Sequence, residues 1–211
     1  AQGTISYTTS PIHNLNYWLK LAKNIEDIGA SSLAIKDMAG LLRPKTAYTL
    51  IKKLKKNLNI PIHLHTHSTT GLADATNFKA FEAGVDNIDT SISSFSNLYA
   101  HTATESMIAM MYDNRSSPFN NELLTEISKY FENIRKNYSK YEGSMKGIDV
   151  KMLTNQVPGG MLSILEKQLV DLKKQHKLMD LIKEIPRIRK DVGYIPLVTP
   201  PSQIVGAQAL S

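Results

Sequence analysis

Three histidines at alternate positions form the densest group of chemically active residues in the sequence. His63, His65 and His67 lie within residues 61–71, each separated from the next by a single residue. Side chains two positions apart on a β-strand point to the same face, and two such imidazoles can both reach one divalent cation. The spacing indicates a metal site at His65 and His67, with His63, one step deeper, assigned to packing. Three histidines held by backbone partners are the alternative.

A lysine at the end of an apolar run is the second candidate. Lys36 closes the run 33–36 and is followed by Asp37. Burying an ammonium group beside a cation is costly, so unmodified Lys36 is a poor metal ligand. Reaction of its amine with CO2 would instead give a carbamate, which is an anionic oxygen ligand. The alternatives are a lysine whose amine reaches solvent and a lysine paired with Asp37.

A segment rich in hydroxyl groups covers residues 91–105. It begins at Ser91, and its hydroxyls are candidates for hydrogen bonds and for a proton relay at the mouth of the site. The competing interpretation is a polar loop that caps the next helix at Thr102 or Thr104.

These groups follow successive units of one repeating pattern, in which short apolar runs alternate with helical segments. The runs cover residues 4–7, 33–36, 60–65 and 87–91, with starts 27 to 29 residues apart, which is the length of a strand–helix unit. The helical segments cover residues 15–28, 44–58, 71–83 and 104–112. Such alternation predicts a parallel sheet with right-handed crossovers. Four units would make half of a (βα)8 barrel, whose active site lies at the carboxyl ends of the strands. An open doubly wound sheet is the alternative.

The second half of the chain has a different pattern, that of a helical extension. Helices are predicted over residues 121–137, 161–174 and 177–185, the last broken or kinked at Pro186. Residues 143–160 indicate loops, and three prolines make residues 195–201 extended or turning. A final helix is predicted after Ser202 as its N-cap. The sequence therefore predicts barrel strands and helices over residues 1–112 and an extension over residues 113–211.

Composition narrows the classes of function. The chain has 211 residues, 42% of them hydrophobic, and a formal net charge of +6. Its basic runs lie in helix-like segments with acidic neighbours, which is typical of solvated helix faces rather than of a nucleic-acid surface. The chain has no cysteine, which excludes disulfides and thiolate ligands and makes a reducing cytoplasm the expected location. The sequence contains neither an apolar run of the roughly 20 residues that span a bilayer nor a signal-peptide pattern at its start.

Seven segments in this order resemble a known family. Over essentially its whole length, the sequence is similar to the carboxyltransferase domain shared by the oxaloacetate decarboxylase alpha chain, pyruvate carboxylase and transcarboxylase. The most specific segments are IKDMAGL, the HxHTH-type run and QVPGGM. The resembling segments are residues 5–13, 35–44, 63–73, 83–96, 103–106, 156–163 and 195–209.

The resemblance implies a (βα)8 barrel followed by a helical extension, of which this chain would be the C-terminal half, with strands five to eight. It implies a divalent metal, usually zinc and sometimes manganese or cobalt, held by an aspartate, a carbamylated lysine and two histidines. The last three correspond to Lys36, His65 and His67. The catalytic threonine of the family corresponds to Thr102, which would also contact the substrate together with Ser91.

The implied activity is transfer of a carboxyl group between oxaloacetate or pyruvate and biotin, which arrives on a separate carrier domain. The implied partners are that biotin carrier domain, a second copy in a homodimer, and either a biotin carboxylase subunit or the membrane subunits of a decarboxylase pump. No nucleic-acid partner is expected.

Part of the implied site belongs to the first half of the barrel, namely the aspartate ligand and an arginine that binds the substrate. The sequence also has no biotinylation Met-Lys-Met. The chain is therefore expected to be part of a longer protein and to be inactive alone. Two other functions stay open. One is a related metal-dependent lyase or synthase with an HxH pair, and the other is a purely structural piece with open sheet edges that invite pairing.

Overall fold

A four-stranded parallel sheet organises the first half of the chain. The computed structural model describes residues 1–112, 117–143 and 145–210. The strands lie side by side in chain order, and all neighbours are parallel. They are β1 (Gln2–Ser6), β2 (Ser32–Asp37), β3 (Ile62–Thr66) and β4 (Asn87–Ile88). The predicted α/β class with a parallel sheet is confirmed.

Four helices follow the four strands, and their ends have local causes in the sequence. Asn14 caps the first helix, because its side-chain oxygen accepts from the Tyr17 N–H at 3.0 Å. Pro44 occupies the first turn of the second helix, where a missing N–H costs nothing. Gly84, after the third helix, has a φ of +92° that glycine adopts without strain. The helices are α1 (Leu15–Asp27), α2 (Pro44–Asn57), α3 (Ala73–Glu82) and α4 (Thr104–Tyr112).

The sheet buries one face and leaves the other partly open. In β3, Ile62 and Leu64 are 0% exposed, whereas His63 and His65 between them are half-buried. The alternation follows from the period of two in a strand. The buried face belongs to an apolar core that includes Leu33, Ile35, Ala47, Leu50, Ile51 and Leu54. The polar side chains that could bind a ligand or take part in a reaction therefore lie on the opposite face of the sheet.

The fourth strand is shorter than the predicted run over residues 87–91. The Asp89 N–H donates to the Leu64 carbonyl at 2.9 Å, one residue beyond β4. The chain then leaves the sheet, and Ser91 forms an isolated parallel bridge with Ala103. The run predicted as strand thus pairs with β3 only at its start, because its end pairs with the segment that leads into α4.

The described residues after 116 are helices and loops, as predicted. The helices are α5 (Asn121–Lys136), α6 (Met152–Asn155), α7 (Gly159–Asp171), α8 (Leu178–Asp191) and α9 (Pro201–Leu210). A second apolar core joins them and includes Met152, Val157, Leu162, Leu165, Leu169, Ile185 and Val205. The predicted division between residues 112 and 113 falls where residues 113–116 lie outside the described ranges. Within those ranges no helix is long and apolar enough to cross a membrane.

Pro186 does not break its helix, so the predicted break is wrong, and the alternative of a kink stays a prediction. α8 runs through it to Asp191. Proline removes one N–H donor from the helix interior, but Leu181, Ile185 and Ile188 on both sides of it are buried in the second core. Packing of this face therefore keeps the helix continuous across the missing hydrogen bond.

Two other boundaries in the extension differ from prediction. The last helix begins at Pro201, so Ser202 lies inside it and is not its N-cap. Pro201 suits this position because its fixed φ matches the first turn of a helix. The loop-rich residues 143–160 also contain α6 and the first two residues of α7, Gly159 and Gly160.

A buried arginine joins the extension to the sheet. Arg189 of α8 is 4% exposed, and its guanidinium donates to Thr8 Oγ1 at 2.7 Å and to the Thr9 carbonyl at 3.2 Å, in the loop after β1. It also donates to Gln156 Oε1 at 2.7 Å and to the Ile195 carbonyl at 2.9 Å. These four acceptors and a fifth, the Tyr194 carbonyl at 3.4 Å, are uncharged, and burial lowers the pKa of Arg189. Hydrogen bonds to neutral oxygens therefore hold α8 against the carboxyl end of β1.

His13, in the loop after β1, is expected to make the stability of the fold depend on pH. Its ring stacks on Trp18 with centroids 5.0 Å apart. Burial, followed by the charge of Arg189, lowers its pKa. Below about pH 6.5 the unfolded chain then binds a proton that the folded chain does not bind. The free energy of unfolding should fall as the pH is lowered through this range.

Urea unfolding at about pH 7.5 and about pH 5.5 measures this effect. His13→Gln, which cannot be protonated, should lose part of the difference between the two pH values. His176→Gln, at an exposed position, serves as the control and should keep it. An unchanged pH dependence in His13→Gln would contradict the assignment.

Candidate metal centre

Lys36 and His65 lie side by side at the carboxyl end of the sheet. They are Cα partners in the parallel ladder between β2 and β3, so their side chains leave the sheet on the same face. His67 follows β3, where its N–H donates to the Asp37 carbonyl at 3.0 Å and extends the ladder. All three side chains are partly buried. The structure therefore brings together the three residues that the sequence predicts as ligands.

Asp89 was missed by the sequence analysis and holds two histidines of β3. Its Oδ2 lies 2.6 Å from His65 Nδ1, and its Oδ1 lies 2.6 Å from His63 Nε2. An ionised carboxylate only accepts, so both ring nitrogens donate, and His65 keeps Nε2 for a ligand. His63, assigned to packing, is half-buried, and its ring shares the Asp89 carboxylate with His65.

Burial sets the protonation states of this group. It lowers the pKa of His67 to about 4, and it lowers the pKa of His65 from its ordinary value. For Asp89, burial acts to raise the pKa, but hydrogen bonds from His65 and His63 bring the pKa below its ordinary value. At neutral pH these residues are neutral imidazoles beside a carboxylate, the forms in which they bind metal or support a ligand.

A third imidazole reaches the same place from the segment that follows β4. The ring centroid of His101 lies 4.3 Å from that of His65 and 4.5 Å from that of His67. The potential ligand atoms of the three residues all lie within 4.8 Å of one another. Nδ1 of His101 is 2.8 Å from the Thr66 carbonyl, and Nδ1 of His67 is bonded to the Tyr99 carbonyl. The sequence analysis included His101 only as a member of the hydroxyl-rich segment.

Thr102 and Ser91, the predicted hydroxyl groups, lie in the same segment as His101. Thr102 is 0% exposed, and its Oγ1 accepts from Asn77 Nδ2 of α3 at 2.9 Å. Ser91 is half-buried, and its N–H donates to the Thr102 carbonyl at 3.0 Å. The ring that contacts the HxH pair from this segment is that of His101. The relay and substrate-binding roles of Thr102 and Ser91 stay predictions.

A cavity of about 880 Å³ connects the metal centre with the extension. Lys36 and His67 line one part of it, and apolar side chains of α7 and α9 line another. Tyr99 forms part of the wall, and its ring fits against Gly143 and Gly159 so closely that a Cβ at either glycine would overlap it. The cavity has the size of a small-molecule site, and the candidate ligands Lys36 and His67 lie at its sheet end.

Comparison with known protein families shows the family to which this chain belongs. A conserved carboxylase domain matches residues 152–211, and the HMGL-like family matches residues 4–130, which is more than half of the chain. The chain belongs to the HMGL-like family. The family match contains the last three residues of β1, all of β2 to β4 and every candidate ligand, and the conserved carboxylase domain contains α6 to α9.

Two curated relatives of the chain are components of a carboxylase and of a carboxyltransferase. It is 44% identical over 211 residues to a pyruvate carboxylase subunit of Methanocaldococcus jannaschii, covering 99% of this chain and 37% of that protein. It is 45% identical over 213 residues to the methylmalonyl-CoA carboxyltransferase 5S subunit of Propionibacterium freudenreichii subsp. shermanii, covering 100% and 42%. The chain thus spans well under half of the length of either relative.

A solved structure agrees with the fold over nearly the whole chain. The carboxyl transferase domain of Rhizobium etli pyruvate carboxylase, determined with pyruvate and biocytin, superimposes with a TM-score of 0.94 at 32% identity. The match covers 99% of this chain and 36% of that one. The resemblance to biotin-dependent carboxyltransferase domains is confirmed, and so is the fold of a partial (βα)8 barrel with a helical extension.

The donor atoms of the site fit the divalent metal of this family. Imidazole nitrogens are preferred ligands of zinc and of its neighbours in the first transition row. In metal sites the second ring nitrogen is almost always held by a carboxylate or a backbone carbonyl. His65 meets this condition through Asp89 and His67 through the Tyr99 carbonyl.

Asp89→Asn is expected to weaken zinc binding by about 10- to 100-fold, the usual effect of removing an outer partner of a histidine ligand. The amide has one acceptor oxygen where the carboxylate has two, so His63 and His65 can no longer both donate to this side chain. Zinc affinity is measured by competition with a chromophoric chelator. Asp171→Asn, at an exposed position of α7, should bind zinc as the wild type does, and equal affinity of all three proteins would contradict this role of Asp89.

Proposed function

We propose that the chain is the part of a biotin-dependent carboxyltransferase that binds a divalent metal and moves a carboxyl group between oxaloacetate or pyruvate and biotin. The observation that carries this proposal is the pairing of Lys36 with His65 across β2 and β3, beside His67 and at a cavity of about 880 Å³. The relative determined with pyruvate and biocytin supports a 2-oxo acid and biotin as the ligands.

In this proposal Lys36 is carbamylated. Its neutral amine adds CO2 and releases one proton, so that an anionic carbamate oxygen faces the two imidazoles. Among the described residues, no hydrogen bond or ion pair satisfies the Lys36 side chain. A free ammonium group beside a cation would be repelled, whereas a carbamate supplies the oxygen ligand. Zinc is the proposed metal, with manganese or cobalt as alternatives.

The side chains of the site have distinct proposed tasks. A divalent cation bound here would polarise the carbonyl of the 2-oxo acid and stabilise negative charge on its oxygen. His65 and His67 bind it, while Asp89 and the Tyr99 carbonyl fix the orientation of their rings. These hydrogen bonds leave the unprotonated Nε2 of each ring to face the site.

Thr102 is proposed to relay a proton between biotin and the substrate, and Ser91 to contact the substrate. Asn77 donates to the Thr102 oxygen, which leaves the Thr102 hydroxyl proton available for donation. Thr102→Ala should then lose transfer activity, whereas Thr102→Ser, which keeps a hydroxyl, should keep part of it. These two assignments rest on the family resemblance more than on the contacts of the two side chains.

The partners are also part of the proposal. They are a domain that carries biotin, a second copy of the chain, and either a biotin carboxylase subunit or the membrane subunits of a decarboxylase pump. The relatives named as carboxylase and carboxyltransferase components support partners of the first and third kind. The partner subunits would decide whether the carboxyl group moves mainly toward biotin or toward pyruvate.

The proposal is tested by exchange of labelled carboxyl groups between oxaloacetate and biotin, catalysed by the metal-loaded longer protein that contains this chain. Transfer should require biotin, stop after chelation of the metal and return when zinc is added. A metal-loaded protein that lacks biotin-dependent exchange but cleaves or forms an acyl-CoA substrate would refute it in favour of the related lyases and synthases. A bare Lys36 amine in the active protein would point the same way.

A further inference from the structure

The metal centre holds one imidazole more than the proposed ligand set uses. His101 belongs to the segment that follows β4. Its ring centroid lies within 4.5 Å of the ring centroids of both His65 and His67. The three potential ligand atoms fall within 4.8 Å of one another. Two ligands 2.0–2.1 Å from one metal are at most about 4 Å apart, so small side-chain rotations would be needed to bring the three atoms to one cation.

Each of the three rings is held at the same nitrogen. Nδ1 of His101 lies 2.8 Å from the Thr66 carbonyl, Nδ1 of His65 lies 2.6 Å from Asp89 Oδ2, and Nδ1 of His67 is bonded to the Tyr99 carbonyl. Carbonyl and carboxylate oxygens only accept, so all three Nδ1 atoms carry the proton. Each ring therefore keeps a lone pair on Nε2, which is the form in which imidazole binds a metal.

The backbone fixes His101 in this position at a local cost. Asn97 and Leu98 have φ values of 64° and 51°, and a left-handed leucine is unfavourable. The Asn97 N–H donates to the His101 carbonyl at 2.7 Å, and the Ser68 N–H donates to the Ala100 carbonyl at 2.8 Å. The turn is thus tied to itself and to the loop that carries His67. Strained turns of this kind are kept where they hold a functional group in place.

We infer that His101 is a third imidazole ligand of the cation, beside His65 and His67. The inference rests on the metal of the proposed function, but it adds a ligand that the carbamylated-lysine and HxH set does not contain. With a carbamate oxygen from Lys36 the cation would have three nitrogen ligands and one oxygen ligand from this chain alone. Zinc accepts nitrogen and oxygen ligands and can expand to five-coordinate, so the carbonyl oxygen of the substrate could still bind.

The experiment uses zinc as the probe and the full chain as the protein. X-ray absorption at the zinc edge counts the imidazoles, and competition with a chelator measures affinity. Three imidazoles are expected in the wild type and two in His101→Asn, with an affinity lower by at least about 100-fold. Asparagine is the matched substitution, because its amide can still donate to the Thr66 carbonyl from the place of Nδ1 while it lacks Nε2. His176→Asn, at an exposed position, is the control.

Two imidazoles in the wild-type spectrum would overturn the inference, and so would wild-type affinity in His101→Asn. A loss of affinity with two imidazoles in both proteins would also overturn it, because His101 would then only position its neighbours. The wild-type spectrum decides even if the variant does not fold. Failure of the proposed function gives a different result, since the protein would then bind zinc through three imidazoles without transferring carboxyl groups.

Discussion

Lys36→Arg is expected to lower carboxyl transfer by at least about 100-fold with little change in the fold, a loss at the upper end of those seen on removing support from a metal site. Arginine keeps the positive charge and the length of the side chain. Its guanidinium stays protonated and cannot add CO2, so the anionic oxygen ligand is lost. The measurement is exchange of labelled carboxyl groups between oxaloacetate and biotin by the longer protein that contains this chain.

A spectroscopic readout separates this effect from a general disturbance of the site. After incubation with 13C-labelled CO2, the wild type should show a carbamate carbon signal that Lys36→Arg lacks. Lys36→Glu should recover part of the zinc affinity, because its carboxylate replaces the carbamate oxygen at a shorter reach. Lys53→Ala, on the exposed side of α2, is the control for loss of a lysine. Wild-type exchange in Lys36→Arg would remove the carbamate from the mechanism.

Arg189→Met is expected to lower the free energy of unfolding by about 2 kcal/mol, the scale of buried polar groups left without partners. The guanidinium donates to Thr8 Oγ1 and Gln156 Oε1 and to the carbonyls of Thr9 and Ile195. Methionine fills a similar volume but donates to none of them. The loss is smaller than a sum over four hydrogen bonds, because the cost of burying the charge disappears with it.

Urea unfolding measures this change, and the same helix offers a matched control. Arg187 lies two residues earlier and pairs with Glu184 and Asp191 at the surface. Exposed pairs of this kind contribute little, so Arg187→Met should leave the unfolding midpoint unchanged. Equal midpoints for Arg189→Met and Arg187→Met would show that the link between α8 and the loop after β1 is not needed for stability.

The part of the site that lies on the strands could be predicted from the sequence. The period of two in a strand places His65 and His67 on one face, and the spacing of strand–helix units places Lys36 at the same end of the neighbouring strand. The register then makes Lys36 and His65 direct partners. The chemistry of Lys36 offered the carbamate only as one of three alternatives, and the family resemblance selected it. The role of Thr102 came from the resemblance alone, because a proton relay has no periodic pattern.

Asp89 and His101 could not be predicted in the same way. Asp89 meets His65 across 24 positions of sequence, and His101 meets the Thr66 carbonyl across 35. Both contacts depend on where the chain turns after the short β4. The sequence did contain a signal for Asp89, because this residue lies within the fourth apolar run. A carboxylate on the site-facing side of a parallel sheet is a candidate active-site residue.

The helix boundaries that differed from prediction were decided by tertiary packing. Local rules end a helix at proline, yet the buried side chains around Pro186 keep α8 continuous. The predicted fourth strand was shortened by an alternative partner, since Ser91 pairs with Ala103. In both cases the sequence pattern indicates a local preference, and a contact between residues distant in sequence decides where the helix or strand ends.

The fit of Tyr99 against two glycines has an evolutionary consequence. An alanine at Gly143 or Gly159 would overlap the Tyr99 ring, and the carbonyl of the same tyrosine holds His67. A change at either glycine would therefore be transmitted to a ligand of the metal, and selection acts on the three positions together. In homologous proteins we expect a larger residue at either glycine position to occur with a smaller residue in place of Tyr99, so that covariation between these positions records the shape of the cavity wall.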